Sequence, residues 1–538
     1  MNEIYIKDII SLMFTKKFFS TIVNDKLLII ILFLLSILVN QYYGNKGVFP
    51  VDSFSHFDTG YRILLGEFPF KDYWIVSGPL VDYLQAIFFY LFGVNWQSYL
   101  IHASLINGVL TVGTFLLLRN FQLNIFYSFA YSFFLSILAY PSSGTPFVDH
   151  HSAFFSLLGI YILIFAIKTE KKIYWILLPI FFILAFLSKQ TPASYIIISS
   201  VLILSSYSIL KKNFDWIKYS LASSILFIFI ILIIGKNHGI TFSSFLQQYI
   251  FYPLTIGNER FENINVTFQN IIAHFKFIYL SMVILFYVNF KRFFYEKNFI
   301  RKNDFFYFLC LLLLTFSLIF HQLLTQNQTF IFFLIPILIA FSQISLNIYK
   351  FNSKKILHII MILACLFATT KYHIRFNEER KFHELNYVNF ELAFNGKKID
   401  KKLLGLKWIT PNFEKEPKEE IILINKTKSF LKNDNRNKMV MTNYSIFSSI
   451  LEQKLYSPSR WYLYDGTDYP IKGNEFFVKY KDFLINLIKK NKINVIYTIN
   501  LPSSSVIYDY IDMNCFEVKE INEILIGYEI KNCKEINN

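Results

Sequence analysis

Cysteine is scarce in this 538-residue chain: there are four, none at metal-ligand spacing, so the pattern encodes no zinc ribbon or finger. Cys310 and Cys365 fall inside apolar runs and read as packing residues. Cys515 and Cys533 fall in the polar tail, where an exported location permits a disulfide. No glycine-rich phosphate-binding fingerprint is present, which excludes the usual cradle for a nucleotide or a nucleotide sugar. Internal repeats and low-complexity linkers are lacking as well. Acidic residues number 37 against 53 basic ones, a net charge of +16. In a soluble chain that excess would raise nucleic acid as a partner. Here the apolar runs make its position relative to those runs the informative quantity.

What the chain has in abundance is hydrophobic length. Residues of apolar type make up 54% of it, and stretches of the roughly 20 apolar residues that cross a hydrocarbon core recur along the first 371 positions. The expected spans are 27–43, 98–118, 121–140, 152–168, 173–188, 193–210, 217–235, 273–290, 305–322, 329–346 and 356–371. The fold class is therefore a polytopic α-helical membrane protein of about eleven transmembrane helices. The first run follows Lys16, Lys17 and Lys26 and lacks a small-residue cleavage site, so it reads as a retained signal anchor.

Placing the N-terminus inside requires alternate loops to be basic. They are: Arg119, then Lys168, Lys171 and Lys172, then Lys211, Lys212 and Lys218, then Lys291, Arg292, Lys297, Arg301 and Lys302, then Lys350, Lys354 and Lys355. The intervening loops 141–151 and 323–328 contain no Lys or Arg. Counting Pro79 to Gly93 as a span would invert this pattern, so that apolar stretch, which carries Asp82, is expected to lie in the outer interface. An odd number of spans then exports residues 372–538. That tail is rich in Lys, Asn and Glu, with strand-like runs at Met439 to Met441, Val495 to Thr498 and Ile524 to Ile530 and a helical pattern at Phe476 to Lys490. It reads as a small extracytoplasmic α/β domain, leaving 1–371 as the membrane domain with an outside loop at 44–97.

Four outside segments hold ionisable residues. The loop 44–97 contains Asp52, His56, Asp58, Arg62, Glu67, Asp72 and Asp82, with Asp52 and His56 on one helical face. Carboxylates at a membrane surface are costly unless paired or used, although a solvated amphipathic helix would carry the same residues. The loop ending Asp149, His150, His151 suits a metal site, a hydrogen-bonding cluster or a plain polar helix boundary. Lys189 stands alone at the outer end of a span, against the charge rule, as a phosphate ligand or a snorkelling side chain would. Arg260 follows Glu259 in the next outside segment; it can clamp a phosphate bidentately or be one of two surface charges. In the tail, the run from Ser457 to Pro470 mixes Arg460, Trp461 and tyrosines, as either a sugar-binding surface or a core strand and turn.

Taken together these segments resemble the GT-C glycosyltransferases that use polyprenyl-phosphate sugars, nearest the family-39-like members related to protein O-mannosyltransferases and the lipid A aminoarabinose transferase. The resemblance rests on Asp52, Tyr61, Gly66, Pro69-Phe70-Lys71-Asp72 and Gly78-Pro79, followed by Leu91-Phe92-Gly93, and covers about residues 27 to 350. It implies that Asp52 is the catalytic carboxylate, Asp149 the second outside acid, Lys189 the outside lysine and Arg260-Phe261 the following arginine motif. Two departures stand out. Asp52-Ser53 occupies the place of an Asp-Glu pair, and Gln326-Asn327-Gln328 that of a positive residue.

The expected function is inverting transfer of a sugar from a polyprenyl-phosphate-linked donor to a glycolipid, polysaccharide or protein acceptor on the extracytoplasmic face of a bacterial cytoplasmic membrane. Asp52 is the expected general base, and Lys189, Arg260 and Arg62 would neutralise the departing phosphate. Asp149 would orient a substrate or hold a divalent metal with His150 or His56; Asp58 and His151 are further substrate or metal candidates. A lipid-linked polysaccharide polymerase or ligase is the near alternative. A transporter is the remote one, because transporters place ionisable residues near the midplane, often in matched halves.

Overall fold

The computed structural model describes residues 24–139, 144–326, 331–349, 354–531, 533 and 536. Lys16, Lys17, Lys350, Asn327 and Gln328 lie outside the described residues. Eight helices among the described residues are long and apolar enough to cross a bilayer. They are α1 (Asp25–Gly44), α4 (Trp96–Asn120), α6 (Val148–Thr169), α8 (Gln190–Lys211), α9 (Asp215–Asn237), α11 (Lys276–Tyr295), α12 (Asn303–Thr325) and α14 (Lys354–His373). Three further stretches expected as spans form shorter apolar helices: α5 (Ile125–Ala139), α7 (Lys172–Ser188) and α13 (Leu334–Tyr349).

Local chemistry sets the boundaries. The Asn24 side chain accepts from the Lys26 amide and caps α1. Helix α2 (Pro50–Leu64) starts with proline, whose missing N–H costs nothing at a helix start. Helix α3 (Pro79–Phe92) starts the same way, after Gly78 at φ +71°. At about 21 Å its 14 residues fall short of the ~30 Å hydrocarbon core, while Ile87, Tyr90, Leu91 and Phe92 stay exposed. Helix α9 packs one side on α7, where Ser220 and Ser223 donate to the Trp175 and Ile176 carbonyls, and leaves most of its apolar surface exposed.

Contacts sort the loops into two ends. At one, Arg119 pairs with Asp25 and Arg292 with Glu296 and Asp304. At the other, Lys46 pairs with Glu378, the Tyr43 hydroxyl bonds His373, and the Tyr252 hydroxyl donates to the Gly466 carbonyl. The segment 44–97, the start of α6, the α7–α8 junction, helix α10 (Tyr252–Glu262) and the chain after His373 thus share one end.

The C-terminal part carries a four-stranded sheet of β1 (Lys438–Thr442), β2 (Val495–Ile499), β3 (Phe516–Asn522) and β4 (Leu525–Ile530), in the order β1-β2-β4-β3. The β1–β2 pair is parallel and the other pairs are antiparallel. Helices α15 (Pro417–Asn433) and α16 (Phe477–Lys490) accompany it, and Cys515 is disulfide-bonded to Cys533. Its apolar interior is shared with segment 44–97. Phe54, Phe57, Trp96 and Tyr99 pack with Trp408, Tyr444 and Phe447, the Phe54 and Trp408 rings stacking at 5.7 Å. Trp74 and Tyr252 pack with Tyr469 and Tyr480 in a second cluster.

Candidate functional site

Lys189 ends up in the site because the polypeptide breaks there. Helix α7 stops at Ser188, Lys189 is extended (φ −161°, ψ 140°), and Thr191 is non-helical before α8 continues. The Gln190 amide fixes the break by donating to the Val76 and Tyr249 carbonyls at 2.7 and 2.6 Å. The Lys189 ammonium then donates to both carboxylate oxygens of Asp149 at 2.8 Å. Asp149 lies in the first turn of α6, where the helix dipole favours a negative charge. Its Oδ1 also meets His321 Nε2 at 2.9 Å. His321 comes from α12 and was not anticipated from the sequence. Its one signal was a histidine near the outer end of an otherwise apolar span.

Asp52 belongs to the first turn of α2 and faces this cluster. Among the described residues its half-buried carboxylate has no hydrogen bond or ion pair. Burial, with the negative charge of Asp149 next, pushes the carboxyl up to about 7, while Lys189 pulls it down. Glu384 adds a weaker upward push from the chain after α14. Arg260, on α10, lies within electrostatic reach of His321. Asp52, Asp149, Lys189 and His321 therefore converge, and Arg260 acts on this group through its field at His321.

The remaining candidates are engaged elsewhere. Arg62 is buried against Glu67 at 2.9 Å and Asp58 at 3.9 Å, with its guanidinium 4.3 Å from the Tyr73 ring centre. Burial pushes Asp58 up to about 6 against the pull of Arg62. His56 Nδ1 meets Asp82 Oδ1 at 2.8 Å, and burial lowers its imidazole despite that partner. His151 lies between the Phe147 carbonyl and His102 Nε2, at 2.9 and 3.0 Å. His150 packs beside the Phe147 and Phe154 rings. Asp149 has its oxygens on Lys189 and His321, and His56 is engaged with Asp82. Among the described residues no group of three or more His, Cys, Asp or Glu side chains is disposed to hold a metal ion.

Residues 76–234 match the family model of the dolichyl-phosphate-mannose-protein mannosyltransferases. The GT-C resemblance is supported. The matched region is under a third of the chain. It contains Asp82, Asp149 and Lys189, and leaves Asp52, Arg260 and His321 outside. No curated protein sequence matches the chain. The crystal structure of ArnT from Cupriavidus metallidurans bound to undecaprenyl phosphate is similar at 10% identity and a TM-score of 0.44, over 95% of this chain and 98% of that one. At that level it is a loose likeness and supplies no residue correspondence.

Proposed function

We propose that the chain is a membrane glycosyltransferase that moves a sugar from a polyprenyl-phosphate-linked donor to an acceptor on the extracytoplasmic face. The observation that carries this reading is Asp52: a carboxylate with no hydrogen bond or ion pair among the described residues, pushed up to about 7 and facing the Asp149–Lys189 pair. A general base works best with a pKa near the operating pH. Asp52 takes the proton of the acceptor nucleophile as that atom bonds to the anomeric carbon. The bond from that carbon to the phosphate oxygen breaks on the opposite side, which inverts the centre. Lys189 and Arg260 neutralise the departing lipid phosphate. Asp149 and His321 hold Lys189 at the helix break until phosphate shares it. Arg62, closed into its own ion pairs, has only a structural part in this scheme.

The chain divides, in this reading, into a membrane domain at 1–371 and an extracytoplasmic one at 372–538, with the N-terminus cytoplasmic in a bacterial inner membrane. Exchange of the sugar carrier for a soluble nucleotide sugar is disfavoured, because no nucleotide fingerprint is present in the sequence.

The test is transfer of radiolabelled sugar from polyprenyl-phosphate donors in membranes holding wild type or Asp52→Asn at equal abundance. Label moving with wild type and falling at least about 100-fold in the variant is expected for loss of a general base. Equal transfer by both would remove Asp52 from its role.

A further inference from the structure

The best-connected buried charge cluster is not the one that faces the candidate base. Asp82, in the first turn of α3, is fully buried and accepts from three directions. Thr59 Oγ1 and His56 Nδ1 of α2 reach its Oδ1 at 2.6 and 2.8 Å, and Arg460 Nη2 reaches its Oδ2 at 2.6 Å. Arg460 comes from the C-terminal part and is itself fixed. Its amide donates to Asp468 Oδ2 at 2.8 Å, its carbonyl accepts from Ser445 Oγ at 3.0 Å, and its side chain is wholly buried.

The cluster adjoins both candidate acids. His56 lies one helical turn after Asp52. A Cβ on Gly78 would come within 2.4 Å of Val148 Cγ1, 3.1 Å of His56 Cε1 and 3.5 Å of Arg460 Nη1. Val148 immediately precedes Asp149. Helix α2, the start of α3, the start of α6 and the C-terminal part therefore meet at a point where only glycine fits.

A buried ion pair is a poor device for stability alone, since an apolar replacement of both partners is often as good. It does fix register, because either partner left alone in the interior is strongly unfavourable. We infer that Arg460 is a positioning residue: through Asp82 and the His56–Thr59 turn it holds the Asp52 helix against the Asp149–Lys189 pair, so the C-terminal part completes the transfer site. This rests on the function proposed above, and it assigns the arginine of the Ser457–Pro470 run to the site's framework rather than to a sugar-binding surface.

The test compares the full-length protein in lipid nanodiscs as wild type, Arg460→Met, Arg460→Lys and the double variant Asp82→Asn/Arg460→Met. Two readouts are taken: kcat and donor KM for transfer, and amide hydrogen exchange over residues 50–64. Arg460→Met should lower kcat by about 100-fold, the effect of a misplacement near 1 Å, with donor KM little changed because Lys189 and Arg260 are not moved. Exchange in 50–64 should rise. The double variant removes both members of the Asp82–Arg460 pair, while Asp468 keeps the Arg460 and Trp461 backbone amides; it should regain most of the lost kcat and the slow exchange, and Arg460→Lys should fall between. If Arg460→Met does not accumulate, the double variant and Arg460→Lys carry the comparison. Wild-type kcat and exchange in Arg460→Met would overturn the inference. So would kcat and donor KM falling together with no recovery in the double variant. Should wild type transfer no sugar from any donor, the transfer reading fails while the exchange data still decide the lock.

Discussion

A carboxylate is available as a base only where no cation has claimed it, and Asp52 and Asp149 differ on that point. Asp149 is bound by Lys189 and His321, whereas Asp52 faces Lys189 without closing a bond among the described residues. Its availability has an energetic signature. The folded carboxyl titrates at about 7 against an ordinary 3.8, so between those values the folded state holds a proton that the unfolded state has released. Stability at this position is therefore present at low pH and declines as pH rises through that window. Asp52→Asn should abolish transfer and yet raise thermal stability at pH 8, by on the order of 1 kcal/mol once solvent screening is allowed for. The gain should disappear below about pH 4. Thermal denaturation of purified protein across pH measures it; no gain at pH 8 would mean that Asp52 is better paired than the geometry shows.

At the scale of elements, the break between α7 and α8 is the feature that makes a site from two membrane helices. Gln190 satisfies two carbonyls of other segments while Lys189 turns toward Asp149. Gln190→Ala would leave both carbonyls short of a donor, at a cost of about 1–3 kcal/mol, and loosen the lysine. A raised donor KM with kcat nearly unchanged is expected, measured by varying donor concentration; an unchanged KM would dissociate the break from donor binding. Much at this scale was legible in the sequence. The lone lysine at the outer end of a span stood out against the charge rule, Pro79 marked the start of the short apolar helix α3, and β1, β2, β4 and α16 followed from apolar runs at the expected period. Strand β3 was not legible, since it alternates charged residues with few apolar ones and packs as an edge. His321 was not legible either, because its partner Asp149 is 172 positions away and nothing local distinguishes it from a packed histidine.

For the whole molecule, the sequence pattern pointed to a membrane bundle with a tail able to bury its own core. The bundle and the sheet are there, but the tail's apolar interior includes Phe54, Phe57, Trp74 and Trp96 from segment 44–97. Periodicity locates elements and cannot tell which apolar faces will meet. A chain ending at residue 371 should consequently expose these aromatics and fail to accumulate. The tail expressed alone and exported should aggregate for the complementary reason. Membrane abundance and size-exclusion profiles check both; a monodisperse, soluble tail would show that the shared core is dispensable. The same arrangement bears on biosynthesis. Arg460 follows Asp82 by 378 positions, and at about 5–20 residues per second the ribosome needs roughly 20–75 s to supply it. In the proposed orientation, the nascent segment around Asp52 waits outside the membrane for that interval with Trp408, Tyr444 and Arg460 still unmade, a window in which an envelope chaperone or protease would find it first.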